Sequence, residues 1–534
     1  MTSNLATPET SAAQAAGISS YLDSKRGLGG WLFTRDHKRV GVLYLIGISL
    51  VFLVGGALAM MAQMAASVAE AADSAGTANA ALHGSVMIFL FAVPAIPAVL
   101  GNFALPIMVG AKGVMFPRLN LASFYLWLQG ALLVFSAGIV SSVDTGGAAT
   151  PVALIGLGIF TVGLSSLLSG LNILATIHCK RAPSMSWSKM PMFVWGSYAG
   201  AILQVLATPM LLLAMTLMIS GSTSWTGVLV ASQGDPSGFT EGILSLWYQP
   251  AAYIMILPAI GVVTDVISVN ARKRVYGAPV VAAAMLAMAA FSLLAWGGHL
   301  FTARRPESVV TVSSFLSLLI AAPAAAIVFS WLATLWRGSI SLTAPMLFAL
   351  CFVVTFTMGG LASLFLAIPG VGVYLKSTPF AVAQSHYVMM GAAALGLLVG
   401  LHHWWPKMFG RTYSTVWSKA ACAQIFAGIH LAFIPMLLAG SQGMARQNAT
   451  HMFEEYGQVA SRGMVVLWIG LAATATYLLH SLFAGSKASR NPWAGVTLEW
   501  KTSSPPPEGN FDADPVAPSE TYNYSDLTEG EMVR

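Results

Sequence analysis

Residues 379–405 read PFAVAQSHYVMMGAAALGLLVGLHHWW. About 20 apolar residues, rising 1.5 Å each, cross the hydrocarbon core of a bilayer as a helix, and this stretch is long enough. His386 falls about two turns inside its first end, with Gln384 just before it. An imidazole at that depth is costly without a partner. It marks either a functional site or a histidine satisfied by a hydroxyl or carbonyl of a neighbouring helix. At the far end, His402 and His403 sit beside Trp404 and Trp405, the composition of a membrane–water interface.

The rest of the chain has the same character. Of 534 residues, 56% are hydrophobic and 9% charged, against about 25% charged in soluble domains. The chain therefore reads as an all-α polytopic membrane protein lying in the lipid bilayer, and nothing in it suggests a nucleic-acid partner. Apolar segments of spanning length run over 40–64, 83–110, 119–143, 150–177, 191–220, 243–270, 278–301, 312–336, 344–368, 379–405, 417–440 and 461–484. That is a twelve-helix bundle with no internal repeat. Residues 1–39 form a polar arm, and the apolar run after it is too long for a cleavable signal peptide. The bundle fills 40–485, and 486–534 is a tail rich in Pro, Ser and Asp, expected to lie over the bundle or to be partly disordered. Cys179, Cys351 and Cys422 are far apart along the chain and offer no C-x-x-C, which supports neither a disulfide frame nor a thiolate metal site.

Lys and Arg residues set the orientation. With the N-terminus inside, the inner loops and termini hold 21 of the 26 and the outer loops only Arg304, Arg305, Lys376, Arg446 and Arg462. Both termini are thus expected in the cytoplasm. His83 then opens helix two, in HGSVMIFLF, at a depth similar to that of His386 near the start of helix ten. Two axial histidines on different helices are what a bis-imidazole haem requires. Spacing along the chain does not say whether those helices face each other, so a shared haem and two unrelated packing histidines both stay open.

Six stretches carry a resemblance: WLFTRDHKRVGVLYL (31–45), HGSVMIFLFAVPAIPAVLGNFALPIMVGA (83–111), MFPRLN (115–120), VFSWLATLWRG (328–338), HYVMMGA (386–392) and NPWAGVTLEWKTSSPPP (491–507). In this order they resemble subunit I of the haem–copper oxidases, the catalytic subunit of cytochrome c oxidase, over nearly the whole chain. The resemblance implies a twelve-helix fold in a bacterial-type cytoplasmic membrane. It also implies partners like subunits II and III of a respiratory complex and a cytochrome c-type electron donor.

It further implies two metal centres, and here the sequence departs from the family. The low-spin haem takes one histidine from helix two and one from helix ten, and His83 and His386 match both. The high-spin haem ligand, first histidine of a helix-ten His-x-His, is Gln384 in this chain. The copper histidine of a His-Pro-Glu-Val-Tyr motif is Gln249, in Gln249-Pro250-Ala251-Ala252-Tyr253, and the His-His pair of helix seven is Gly298-His299. An amide oxygen is a poor ligand for soft copper and glycine offers none. His299 alone does not make a copper site, and Tyr253, without its histidine, is left to packing. The acidic and lysine residues of the family's proton routes read Gly113, Ala251 and Ile327, and its outer His-Asp pair reads Lys376-Ser377. Of two propionate-holding arginines, Arg446 matches and Gln447 does not.

These departures imply a degenerate subunit I that keeps one low-spin haem, with no copper and no high-spin haem expected, and that does not reduce oxygen by itself. The haem is a- or b-type, since Gln63 stands where the family places an arginine near a formyl group. Two other readings stand beside it: a haem-free structural subunit, and an active cytochrome c oxidase with a rebuilt site. In the emptied centre, Gln249 and Gln384 are expected to bond to helix neighbours or water. Asp265 and His430 are intramembrane polar groups that could replace lost contacts, with partners the sequence does not identify.

Overall fold

The computed structural model of the chain describes residues 20–24, 27–67, 75–143, 149–222, 236–295, 307–444, 454–511 and 513–525. Among them every extended element is helical. In chain order these are α1 (His37–Ser67), α2 (Ala75–Ser85, continued by π-helical turns Val86–Ala92 and Ala95–Gly101), α3 (Pro117–Val143), α4 (Ala149–Cys179), α5 (Met192–Ser222) and α6 (Pro236–Ala271). They continue with α7 (Ala278–Leu294), α8 in two pieces (Glu307–Leu319 and Ala321–Leu335) and α9 (Ala344–Ala367). Then come α10 (Pro379–Val388, π-helical over Met389–Leu395, α-helical again over Gly396–Phe409), α11 (Thr415–Ser441) and α12 (Glu454–Ala484).

Eleven helices among the described residues are long and apolar enough to cross a membrane. The chain is a multi-pass membrane protein. The expected seventh span, 278–301, differs: α7 holds 17 described residues, and the rest of that segment lies outside the described ones.

Local chemistry sets the ends of α10. The Thr378 hydroxyl accepts from the Phe380 amide, and Pro379 needs no intrahelical donor at the first turn. At the other end Gly410 adopts φ 65°, the left-handed turn that stops a helix. Three helices form the inside of the bundle. The spans of α6, α2 and α10 are 89%, 72% and 67% buried, whereas no other span exceeds 44%. Glycines let α10 approach its neighbours: a Cβ on Gly396 would meet Ala259 of α6 at 2.7 Å and Ile96 of α2 at 2.9 Å.

The described residues of the tail are packed against the bundle. After α12 it crosses the end of the bundle and inserts polar side chains there. Asn510 donates to the Ala111 carbonyl (2.8 Å) and accepts from Lys38 Nζ (2.7 Å), and it also meets His37 Nε2. Lys38 pairs with Asp36 at 3.1 Å, and both side chains are buried. The Tyr522 hydroxyl accepts from the Met192 amide and donates to Asp265. Burial and the Asp265 carboxylate hold that phenol well above its ordinary pKa, so it stays a donor. Glu499 is buried beneath the tail, and desolvation pushes its carboxyl up against the pull of the Thr497 hydroxyl.

His402, His403, Trp404 and Trp405, read as interfacial in composition, are all buried in the protein. His402 bonds to Tyr477 of α12, and the His403 carbonyl accepts from Trp493 of the tail (2.8 Å). Asn510 also sits at φ 67°, a backbone region that asparagine tolerates and leucine does not. Replacing Asn510 by Leu strips partners from Lys38 and the Ala111 carbonyl, at about 1–3 kcal/mol per buried group. The expected result is a lower unfolding midpoint in detergent and earlier protease cleavage of the tail. An unchanged midpoint would mean the tail is not seated this way.

Candidate functional site

His83 and His386 come together. Their rings lie nearly parallel, 9° apart, with centres 6.2 Å from each other. Metal–imidazole bonds run to about 2 Å, so with each nitrogen about 1 Å from its ring centre, two axial imidazoles on one ion place their centres about 6 Å apart. The observed separation fits an iron between them. In each histidine the Nδ1 atom meets a backbone carbonyl: Gly55 of α1 for His83 (2.7 Å), and Val382, one turn back on α10, for His386 (2.8 Å). A bond at Nδ1 fixes the tautomer that presents Nε2 to a metal and holds the ring plane.

Both helices change winding at the same place relative to the histidine. Three residues after His83 and three after His386 the chain enters a seven-residue π-helical stretch, Val86–Ala92 and Met389–Leu395. Such segments are rare and recur at functional sites. Phe433 of α11 stacks on His386 with centres 4.8 Å apart. Beside it, Tyr387 bonds to His430 Nδ1 at 2.9 Å, which gives His430 its partner.

Of the second centre's positions, Gln249, Tyr253 and Gln384 are described. Gln384 is half-buried and donates to the Ser363 hydroxyl of α9 at 2.7 Å, a neighbouring-helix bond of the kind expected for it. Gln249 and Tyr253 are half-buried on α6. Gly298, His299 and Arg446 lie outside the described residues, as does the side chain of Gln63. Ala251 and Ile327 are buried apolar side chains. Asp265 is accounted for: its two oxygens accept from the Met192 and Phe193 amides, each at 3.1 Å, so α6 caps the start of α5.

A polar ladder between α1, α3 and α4 escaped the sequence reading. Tyr44 Oη lies 3.2 Å from both Ser123 Oγ and Ser165 Oγ. Below them a cavity of about 10 Å³, lined by Asn102, Asn120, Ser169, Asn172 and Thr176, has room for about one water. The signal was present: Ser165, Ser169, Asn172 and Thr176 recur at helical spacing and share one face of α4.

Comparisons with known proteins give the family of the chain. Residues 39–476 match the family described as Cytochrome C and Quinol oxidase polypeptide I. The cytochrome c oxidase subunit 1 of Thermostichus vulcanus is 34% identical over 509 residues, covering 92% of each chain. That of Synechocystis sp. is 35% identical over 516 residues, covering 93% of each. A heme-copper terminal oxidase dimer solved by cryo-EM has a chain that superposes with a TM-score of 0.71 over 85% of both chains at 17% identity, a likeness of fold.

Proposed function

The chain belongs to the cytochrome c and quinol oxidase polypeptide I family, the subunit I of haem–copper oxidases, and from that premise we propose that it is a degenerate subunit I. In this reading it holds one low-spin haem between His83 and His386 and does not itself reduce oxygen. The observation that carries the reading is the contrast between two positions on α10. The His386 ring lies nearly parallel to that of His83 with centres 6.2 Å apart, while the Gln384 amide donates to Ser363 at 2.7 Å.

The haem, when bound, would pass single electrons. His83 and His386 would hold it, and Gly55, Val382 and Phe433 would keep the two imidazole rings in place. Subunit I of these oxidases works within a membrane complex. We place this chain in a bacterial cytoplasmic membrane, with a bundle of twelve spans and both termini inside. Its partners there are subunits like II and III, and its electron donor is of the cytochrome c type.

Optical spectra of the purified chain test the reading. One haem per chain is expected, with a sharp low-spin band that carbon monoxide leaves unchanged, and no oxygen uptake with reduced cytochrome c. A carbon monoxide-reactive haem with stoichiometric copper, and turnover in the ordinary range of about 1–10³ per second, would replace it by a working oxidase. Absence of haem would leave a structural subunit.

A further inference from the structure

Cys351 lies on α9 and Cys422 on α11, each the eighth residue of its helix. Far apart in sequence, their Sγ atoms are 3.6 Å from each other. A disulfide brings two sulfurs to about 2 Å, and these two thiols are already in contact across the helices. They differ in access: Cys422 is buried and Cys351 half-buried. The remaining cysteine, Cys179, is exposed at the end of α4, away from both. A buried thiol ordinarily serves as a small apolar side chain. Two of them in van der Waals contact across two helices have a chemistry that one alone lacks.

We propose that Cys351 and Cys422 form a reversible dithiol–disulfide pair that reacts with membrane-borne hydroperoxides. The half-buried Cys351 sulfur attacks the terminal peroxide oxygen, the O–O bond breaks, and an alcohol leaves with a proton, which turns Cys351 into a sulfenic acid. The Cys422 sulfur then displaces the hydroxyl as water, and the S–S bond forms. Two thiols and one hydroperoxide become one disulfide, one alcohol and one water. A dithiol reductant reverses the change by exchange. The bond would tie α9, which holds Gln384 through Ser363, to α11, whose Phe433 stacks on His386. Oxidation would therefore clamp the two helices that flank α10.

The test uses the full chain in detergent, treated with cumene hydroperoxide, quenched, unfolded and alkylated with N-ethylmaleimide. Alkylatable thiols should fall from three to one, leaving Cys179, and a non-reduced digest should contain the Cys351 and Cys422 peptides joined. Dithiothreitol should restore all three. Three thiols surviving oxidation would overturn the proposal, as would sulfinic or sulfonic acid at either position without the joined peptides. In Cys422→Ser, Cys351 should be trapped as a dimedone adduct. Labelling of Cys179 alone in that variant would overturn the assignment of Cys351 as the attacking thiol.

Discussion

His83→Ala and His386→Ala are each expected to abolish the low-spin haem spectrum. Each removes one of the two imidazoles assigned to the iron; the helix-ten position two residues before His386 is Gln384, already bonded to Ser363, and His430 holds Tyr387 through Nδ1. Changes to groups that only orient a metal ligand cost about 10–100-fold in metal affinity. Loss of a ligand itself should therefore lower haem retention by at least about 100-fold, or leave a five-coordinate haem with a shifted band. Haem content per chain and the ferric spectrum read this directly. His299→Ala is the companion variant and should leave the spectrum as it is, because no iron is assigned to that side chain. A His83→Ala protein with wild-type haem content and an unshifted band would remove His83 from the site.

How much of this could be read from the sequence differs residue by residue. The start of α10 at Pro379 was legible because Pro379 acts on its own helix, whereas its end was read at 405 and falls at Phe409, before the left-handed turn of Gly410. That His83 meets His386 was not legible from spacing. Two spans far apart in the chain touch or do not touch according to packing, and only the family resemblance put them together. The burial of His402 and His403 was hidden for a related reason. His402 is covered by Phe348 and by Tyr477 of α12, and His403 by the tail, whose Pro, Ser and Asp content reads as solvated, yet which buries Trp500, Asn510 and Tyr522. Cys351 and Cys422 were set aside for their distance along the chain, a quantity that says nothing about neighbouring helices. The ladder on α4 was the reverse case, legible by its period alone.

The contact between α11 and α12 gives the other large effect. Along this antiparallel pair Gly428 faces Leu467, Gly463 faces Ala432 and Gly470 faces Ile425. A Cβ on Gly463 would run into the backbone of Leu431 and Ala432, which no rotamer change relieves. Small residues that let two backbones touch are a main source of helix association in lipid, where apolar burial drives little. Gly463→Ala should therefore lower stability at the upper end of about 1–3 kcal/mol expected for overpacking, although alanine is the better helix former. Gly457, also on α12, has open space where its Cβ would be. Gly457→Ala should thus stabilise by about 0.5–1 kcal/mol through backbone entropy. Opposite signs on one helix separate close packing from helix propensity. The strain at Gly463 also reaches the histidine pair, because Ala432 precedes Phe433, the ring stacked on His386 at 4.8 Å. Pushing α11 outward should loosen that stack, so the low-spin band should broaden or shift in Gly463→Ala and stay put in Gly457→Ala. Equal unfolding midpoints for the two variants would mean that α11 and α12 do not cross at backbone contact. A destabilised Gly463→Ala with an unmoved band would mean that Phe433 does not hold His386.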